Sequence, residues 1–333
     1  MAKSPEHVLV VEDLRVHYDT QAGVIKAVDG VSFEIKRGEI VGLAGESGSG
    51  KTTTALAVMK LLPSNARIVS GRILLSGTDV VPLDEDEMRR IRWNKVSMVF
   101  QGAMNALNPV LRVGDQIAEV LIEKKGYGKE EAMERVRELF SLVGIDPSRV
   151  RDYPHEFSGG MRQRAIIAMA IALNPDLVIA DEPVTALDVV VQSKVLELLK
   201  QLRDKLGISV LLITHDLSVI AETCDRTAIM YAGRIVEYGD TVELFSNSLH
   251  PYTKALISAF PSITGERRTF EPIRGDPPNM LEVPPGCPFH PRCPKRFEPC
   301  DKEEPRLIEI NPGHWVACHL VGGEMTWWRA FCR

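Results

Sequence analysis

The chain has 333 residues, 44% of them hydrophobic and 26% charged, with a formal net charge of −5. That length supports one large globular domain or two smaller ones, and the mildly acidic balance lacks the positive face that tracks a phosphate backbone, which argues against nucleic acid as the main partner. No run approaches the roughly 18 apolar residues of a membrane-spanning helix, and the opening "MAKSPEHVLV" has no apolar signal core, so the chain is expected to stay in the cytosol.

Strand patterning opens the chain: "VLVVEDLRVHY" and "VSFEI" cluster Val, Leu and Phe, and "EIVGLAG" is an apolar run that ends in glycine and leads into a helix. From Lys129 to Val143 the residues Met133, Val136, Leu139, Phe140 and Val143 recur at three-and-four spacing, which predicts an amphipathic helix. Two continuous apolar runs follow, "DLVIADEP" and "ISVLLITHD", separated by the helical pattern "VVVQSKVLELLKQLRDKLG". Continuous rather than alternating apolar strands joined by helices predict a parallel sheet with crossover connections. After Ser248 the texture changes, with prolines at 251, 261, 272, 277, 278, 284, 285 and 288. A second, smaller domain is expected there, over 249–333. No internal repeat or low-complexity tract interrupts this order.

The strongest chemical signal is "GESGSGKT", Gly45 to Thr52, which fits the phosphate-loop pattern G-x-x-x-x-G-K-[ST] between a strand and a helix. Gly45, Gly48 and Gly50 let the backbone aim successive N–H groups at phosphate oxygens, and the following helix adds its positive end. Lys51 would reach the β- and γ-phosphates, and the Thr52 hydroxyl would bind magnesium. A magnesium-nucleotide site needs an acidic element at the end of a buried strand, and "LVIADEP" supplies it. Asp181 is placed to hold magnesium through water, and Glu182 to polarise the water that attacks the γ-phosphate. His215, at the end of "VLLITH", is a third polar candidate.

With these residues in place, "FSGGMRQR", Phe157 to Arg164, resembles the signature motif of ATP-binding cassette (ABC) proteins, and the order of motifs is similar to that family. The fold that the resemblance implies is α/β: a P-loop NTPase of the ABC ATPase type with an antiparallel β subdomain, a RecA-like core, a helical subdomain over 102–170, and a small Cys-rich C-terminal domain beyond a nucleotide-binding domain at 1–248. It implies two cassettes paired head to tail, so that Ser158, Gly159 and Gly160 serve the partner's nucleotide. It further implies that Tyr18 stacks on adenine, that Gln101 senses magnesium and the attacking water, that Asp188 acts across the dimer, and that His215 contacts the γ-phosphate. Ser47, Ser49 and Thr53 complete the ATP-binding set. The signature departs from the usual family pattern at Phe157 and Met161, but the serine and both glycines remain.

The segment "HPYTKALISAFPSI", His250 to Ile263, resembles the one that marks oligopeptide and dipeptide importer ATPases, as do "GCPFHPRCP" and "VACHL". In that branch such a C-terminal domain is associated with an iron–sulfur cluster. The residues point to metal independently: of six cysteines, four cluster at Cys287, Cys293, Cys300 and Cys318, with five, six and seventeen residues between them. Four thiolates suit a [4Fe–4S] cluster; the alternatives are zinc, with His290, His314 or His319 able to replace a cysteine, and unmetallated or partly disulfide-bonded thiols. The end "EMTWWRAFCR" is expected to pack Trp327, Trp328 and Phe331 onto the small domain, and Cys332 is read as an incidental thiol.

The resemblance thus implies an ATP- and Mg2+-dependent ATPase subunit of an importer for peptides or related oligomers, peripheral at the cytoplasmic face of the cell membrane. Its implied partners are a second, related ABC ATPase, two transmembrane permease subunits that dock near "GAMNALNPVLRVGDQI", and an extracytoplasmic solute-binding protein. Two alternatives stand within the family: the same role in an oligosaccharide importer, and a non-transport ABC ATPase acting on DNA or the ribosome. The single cassette without a coiled-coil arm opposes the latter. A regulatory nucleotide switch is opposed by the presence of Glu182 and His215.

Overall fold

The computed structural model describes residues 6–102, 106–259 and 273–322. Trp327, Trp328, Phe331 and Cys332 lie outside these, as do 103–105 of the expected permease-docking stretch and 260–263 of the segment that begins at His250.

In chain order come β1 (His7–Thr20), β2 (Gly23–Lys36), β3 (Ile40–Ala44) and α1 (Lys51–Val58), then β4 (Ala66–Leu75) and β5 (Thr78–Asp79). A short α2 (Glu85–Ile91) and β6 (Val96–Val99) precede the helices α3 (Val113–Lys125), α4 (Lys129–Leu142) and α5 (Gly159–Ala170). The chain then alternates β7 (Leu177–Asp181), α6 (Val189–Leu206), β8 (Ser209–Thr214) and α7 (Leu217–Thr223) before β9 (Arg226–Tyr231) and β10 (Arg234–Asp240). Last among the described residues are α8 (Thr241–Asn247), α9 (Pro251–Ser258), β11 (Ile308–Asn311), β12 (His314–Val316) and α10 (His319–Gly322).

Contacts divide the chain into two compact units. The first is built mainly from Ile35–Ile40 and Leu74–Ile213, the second from Val10–Glu34, Val41–Ile73 and the described residues from Thr214 onward.

In the first unit β6, β7 and β8 pair in parallel, Val96 opposite Leu177 and Leu177 opposite Ser209. Every residue of these three strands is buried, which explains why the sequence shows continuous apolar runs instead of alternation. Helix α6 buries Val195, Leu196, Leu198, Leu199 and Leu202; Asp188 caps its start and Gly207, at φ 67°, ends it. Helix α4 stops at Leu142, one residue short of the expected Val143, and turns Ala132 into the core while Met133 is half-buried. At the head of β7, Asp176 accepts from Lys95, Ser76 and Arg37 at 3.0, 2.8 and 3.1 Å. Burial pushes its carboxyl up, but these donors outweigh burial and leave it below the ordinary carboxylate value.

In the second unit β3 and β9 pair in parallel, whereas β9–β10, β10–β12 and β11–β12 are antiparallel. The tight β9–β10 turn puts Ala232 and Gly233 both at positive φ, 47° and 80°, the geometry that suits a two-residue hairpin. Strands β2, β1 and β4 lie side by side in that order. A buried carboxylate organises the C-terminal part of this unit: Glu237, fully buried on β10, accepts from the N–H groups of Leu249 and His250 at 2.7 and 3.0 Å. The His314 ring on β12 lies 2.9 Å from the same carboxylate. These bonds tie the start of α9 and the added strand β12 to one side chain.

His250 is almost completely buried, and its Nδ1 accepts from the N–H of Tyr252, which caps α9. Burial pushes its pKa down to about 4, against the opposing pull of Glu237. The unfolded chain therefore takes up a proton near pH 6.5 that the folded chain refuses until about pH 4, so this contribution to stability is complete above pH 6.5 and is lost as the pH falls towards 4. Between pH 7 and pH 5 the wild type should lose roughly 2 kcal/mol more unfolding free energy than His250→Asn, which retains a capping acceptor. Urea denaturation at the two pH values reads the difference directly, and parallel pH profiles would refute the assignment.

Candidate functional site

In the second unit β3 is buried throughout and opens at Ala44 into the phosphate-loop sequence. Gly45 and Gly50 take φ values of 150° and 103°; a Cβ on Gly45 would collide with the carbonyl oxygen of Met230, and one on Gly50 with that of Ala27. This close-walled cradle admits no side chain at either position. Lys51 is 7% exposed, and its Nζ donates to the carbonyls of Gly45 and Glu46 at 2.8 and 2.9 Å and to Ser49 Oγ at 3.3 Å. The hairpin tip braces the loop: the Gly233 N–H donates to Ser49 O at 2.9 Å, and the Asp29 N–H to Gly233 O at 2.8 Å. Ser47, Gly48 and Thr52 are exposed. Tyr18 Oη lies 3.3 Å from Thr53 Oγ1, bringing together two residues that the sequence separates by 35 positions. A rigid turn of this kind, with a buried ammonium and a helix N-terminus, is suited to a polyphosphate.

In the first unit β7 delivers Asp181, 1% exposed, and then Glu182, whose backbone is left-handed at φ 48°. Non-glycine residues seldom adopt that region, and such strain collects at functional positions. The Glu182 N–H donates to Ile213 O of β8 at 2.8 Å, which anchors the turn. Gln101 Nε2 and Thr185 Oγ1 both donate to Glu182 Oε2, at 3.1 and 2.9 Å. Two donors on one oxygen orient the carboxylate for accepting a proton from a water molecule. Nothing in the sequence marks Thr185 beyond its place three residues after Glu182.

The signature residues begin α5. Ser158 is the N-cap, its Oγ accepting the Met161 N–H at 3.3 Å, and a Cβ on the buried Gly160 would strike Val191 of α6. The two departures from the family pattern have structural work: Phe157 is buried edge-on to Phe140 with the Arg149 guanidinium 5.1 Å above its ring, and Met161 Sδ accepts from Arg149 Nη1 at 3.3 Å. Asp188 is exposed and caps α6 through the Val191 N–H at 3.0 Å. His215 follows β8 and is exposed, in the second unit.

The four clustered cysteines require a correction. Cys287, Cys293, Cys300 and Cys318 line one cavity of about 10 Å3 together with Phe289, His290 and His319. Among the described residues, however, no group of three or more His, Cys, Asp or Glu side chains is placed to hold a metal ion. The expected [4Fe–4S] cluster is therefore not supported, and neither is the zinc alternative. The physical reason lies in protonation and space: ligating sulfurs must be thiolates, whereas burial pushes Cys287 up to about 11, Cys318 up to about 12 and Cys293 upward. Cys287, Cys293 and Cys318 are thus neutral thiols beside a small cavity. At pH 8 only about one Cys287 in a thousand and one Cys318 in ten thousand is a thiolate, so alkylation by iodoacetamide should run about a hundredfold slower at Cys287 and about a thousandfold slower at Cys318 than at an unperturbed thiol. Peptide mass spectrometry over a time course measures it; labelling at the ordinary rate would contradict the buried-thiol picture.

Two family models match the chain: "ABC transporter" over residues 28–185, and "Oligopeptide/dipeptide transporter, C-terminal region" over residues 236–300. The dipeptide transport ATP-binding protein DppD of Bacillus subtilis is 47% identical over 318 residues, covering 95% of each chain. The oligopeptide transport ATP-binding protein OppD of Escherichia coli is 46% identical, covering 93% of this chain and 92% of its own. Among solved structures, the dimeric post-hydrolysis state of the ATP-binding cassette MJ0796 with ADP and Pi superposes at TM-score 0.62 and 30% identity, covering 70% of this chain and 98% of that one. CbiO1 of Clostridium perfringens, part of the cbiONQ ABC transporter complex, superposes at TM-score 0.63 and 27% identity, covering 73% of this chain and 92% of its own.

Proposed function

The chain belongs to the ABC transporter ATPases of the oligopeptide/dipeptide importer type, and from that premise we propose that two such subunits, this one and a related chain, close head to tail on ATP to drive uptake of peptides or related oligomers through a separate permease. The protein is an ATP-hydrolysing transporter subunit, and its family works with ATP and Mg2+. The observation that carries the catalytic reading is the Glu182 carboxylate held by Gln101 and Thr185 on a left-handed backbone at the end of a buried strand.

In this reading Gly45, Ser47, Gly48, Ser49, Gly50, Thr52 and Thr53 bind the phosphates with Lys51, whose ammonium carries the charge closest to them. Tyr18, fixed beside Thr53, presents its ring to the base. Thr52, Asp181 and Gln101 are the residues that would hold magnesium, which would supply positive charge against the charge that develops on the phosphates. Glu182 takes the proton of the attacking water, Gln101 and Thr185 keep its carboxylate in line, and His215 steadies the γ-phosphate. Ser158, Gly159 and Gly160 serve the nucleotide of the partner subunit from the start of α5, and Asp188 acts across the same interface.

The proposed division is a nucleotide-binding domain at 1–248 with a Cys-rich C-terminal domain at 249–333. It is a division of roles more than of compactness, since the described residues beyond 249 pack in one unit with the phosphate loop. No helix among the described residues is long and apolar enough to cross a membrane, which is consistent with a peripheral subunit at the cytoplasmic face. Two permease subunits and an extracytoplasmic solute-binding protein complete the proposed importer.

Glu182→Gln keeps the shape and both hydrogen-bonding partners but removes the base. It should bind ATP as the wild type does and hydrolyse it at least about a hundredfold more slowly. Phosphate release under saturating Mg-ATP measures this; near-normal turnover would mean that another group activates the water.

A further inference from the structure

Glu46, the second residue of the phosphate loop, brings a carboxylate into the segment that takes the phosphates of ATP on the reading above. A negative charge there opposes a polyanion unless it is cancelled. The structure cancels it with a residue from the far end of the chain. Arg292 Nη1 donates to Glu46 Oε2 at 2.6 Å and Nη2 to Oε1 at 3.0 Å, a two-pronged fork in which the Arg292 side chain is 7% exposed. The guanidinium is itself pinned. Its Nε donates to Arg274 O at 3.1 Å, Nη1 also donates to Tyr231 Oη at 3.3 Å, and the group lies over the rings of Tyr231 and Phe289.

The backbone of the same loop residue is held from the same region. The Glu46 N–H donates at 3.0 Å to the hydroxyl of Tyr252 on α9, a fully buried ring packed on Tyr231 and Phe289 with centroids 4.7 and 5.3 Å away. Burial works against the Arg292 charge, but Glu46 and Tyr231 outweigh it and keep the guanidinium protonated. Glu46 is thus clamped at main chain and side chain by residues 206 and 246 positions downstream.

We propose that Arg292 is a positioning residue for the nucleotide site: by neutralising Glu46 it sets the affinity of the phosphate loop for ATP, so that the loop with its native glutamate binds at full strength only while that carboxylate is paired. The inference rests on the reading of Gly45–Thr53 as the ATP phosphate site. The C-terminal segment then contributes to nucleotide binding, and whatever dislodges Arg292 weakens it.

The test is equilibrium binding of ATP with Mg2+ by the full chain in four forms: wild type, Lys51→Ala, Arg292→Met, and Arg292→Met combined with Glu46→Gln. Arg292→Met should weaken ATP binding by about tenfold or more, because it leaves the carboxylate unpaired beside the phosphates. The double variant should recover to within about threefold of wild type, since an uncharged Gln needs no neutralising partner. A purely structural role for Arg292 predicts no such rescue, because the double variant also lacks the clamp. Binding by Arg292→Met within about twofold of wild type, or a double variant as weak as the single one, overturns the inference. If Lys51→Ala binds ATP as tightly as the wild type, the phosphate-loop reading fails, and this inference falls with it.

Discussion

Burial of the parallel strands on both faces is the constraint from which the candidate site follows. No residue of β6, β7 or β8 is exposed, so none of these strands can carry a charge along its middle without stranding it in an apolar core. Charged and strongly polar groups are displaced to the strand ends: Asp176 and Lys95 pair at the amino ends, and the candidate site residues lie at the carboxyl ends. Gln101 comes two residues after β6, Asp181 is the last residue of β7, and His215 directly follows β8. β3 obeys the same rule, with serine and lysine beginning only where the strand stops. Chemistry at the carboxyl ends is the general habit of open α/β sheets, and here burial of the strands confines charge to their ends.

Several residues of the proposed site also hold up the fold. Ser158 and Asp188 cap α5 and α6, and Gly160 lets α5 approach Val191. A helix N-cap and an anion-binding position make the same demand, a polar side chain beside unsatisfied N–H groups, so one residue type meets both. Glu182 differs. Its left-handed backbone costs energy, and the bond from its N–H to Ile213 and the two donors on its carboxylate keep it in that conformation.

The C-terminal segment is organised by side-chain burial. Tyr231, Tyr252, Phe289 and His250 form a cluster of rings, Glu237 gathers the start of α9 and β12, and the four cysteines lie next to this cluster, with Cys287, Cys293 and Cys318 kept neutral by burial. Cysteine spacing describes which sulfurs can come near one another. Whether they bind metal depends on solvation and on the geometry of the space between them, neither of which spacing encodes, and that is why the expectation of a metal centre failed here.

Local patterns determined much of this protein from the sequence alone. Continuous apolar runs implied the buried parallel strands, the three-and-four spacing implied α4 to within one residue at its end, and the glycine pattern from Gly45 to Gly50 implied a loop no other residue type could build. The Ala232–Gly233 hairpin that braces the phosphate loop emerged only in three dimensions. Tertiary structure alone decided that Met133 yields the core to Ala132, that Thr185 orients Glu182, that Glu237 joins three segments, and that Arg292 reaches back 246 positions to Glu46. Period and motif record what neighbours along the chain require of each other. Which distant side chains share a desolvated space, and therefore which charges must pair and which thiols stay protonated, is settled only when the chain has closed around them.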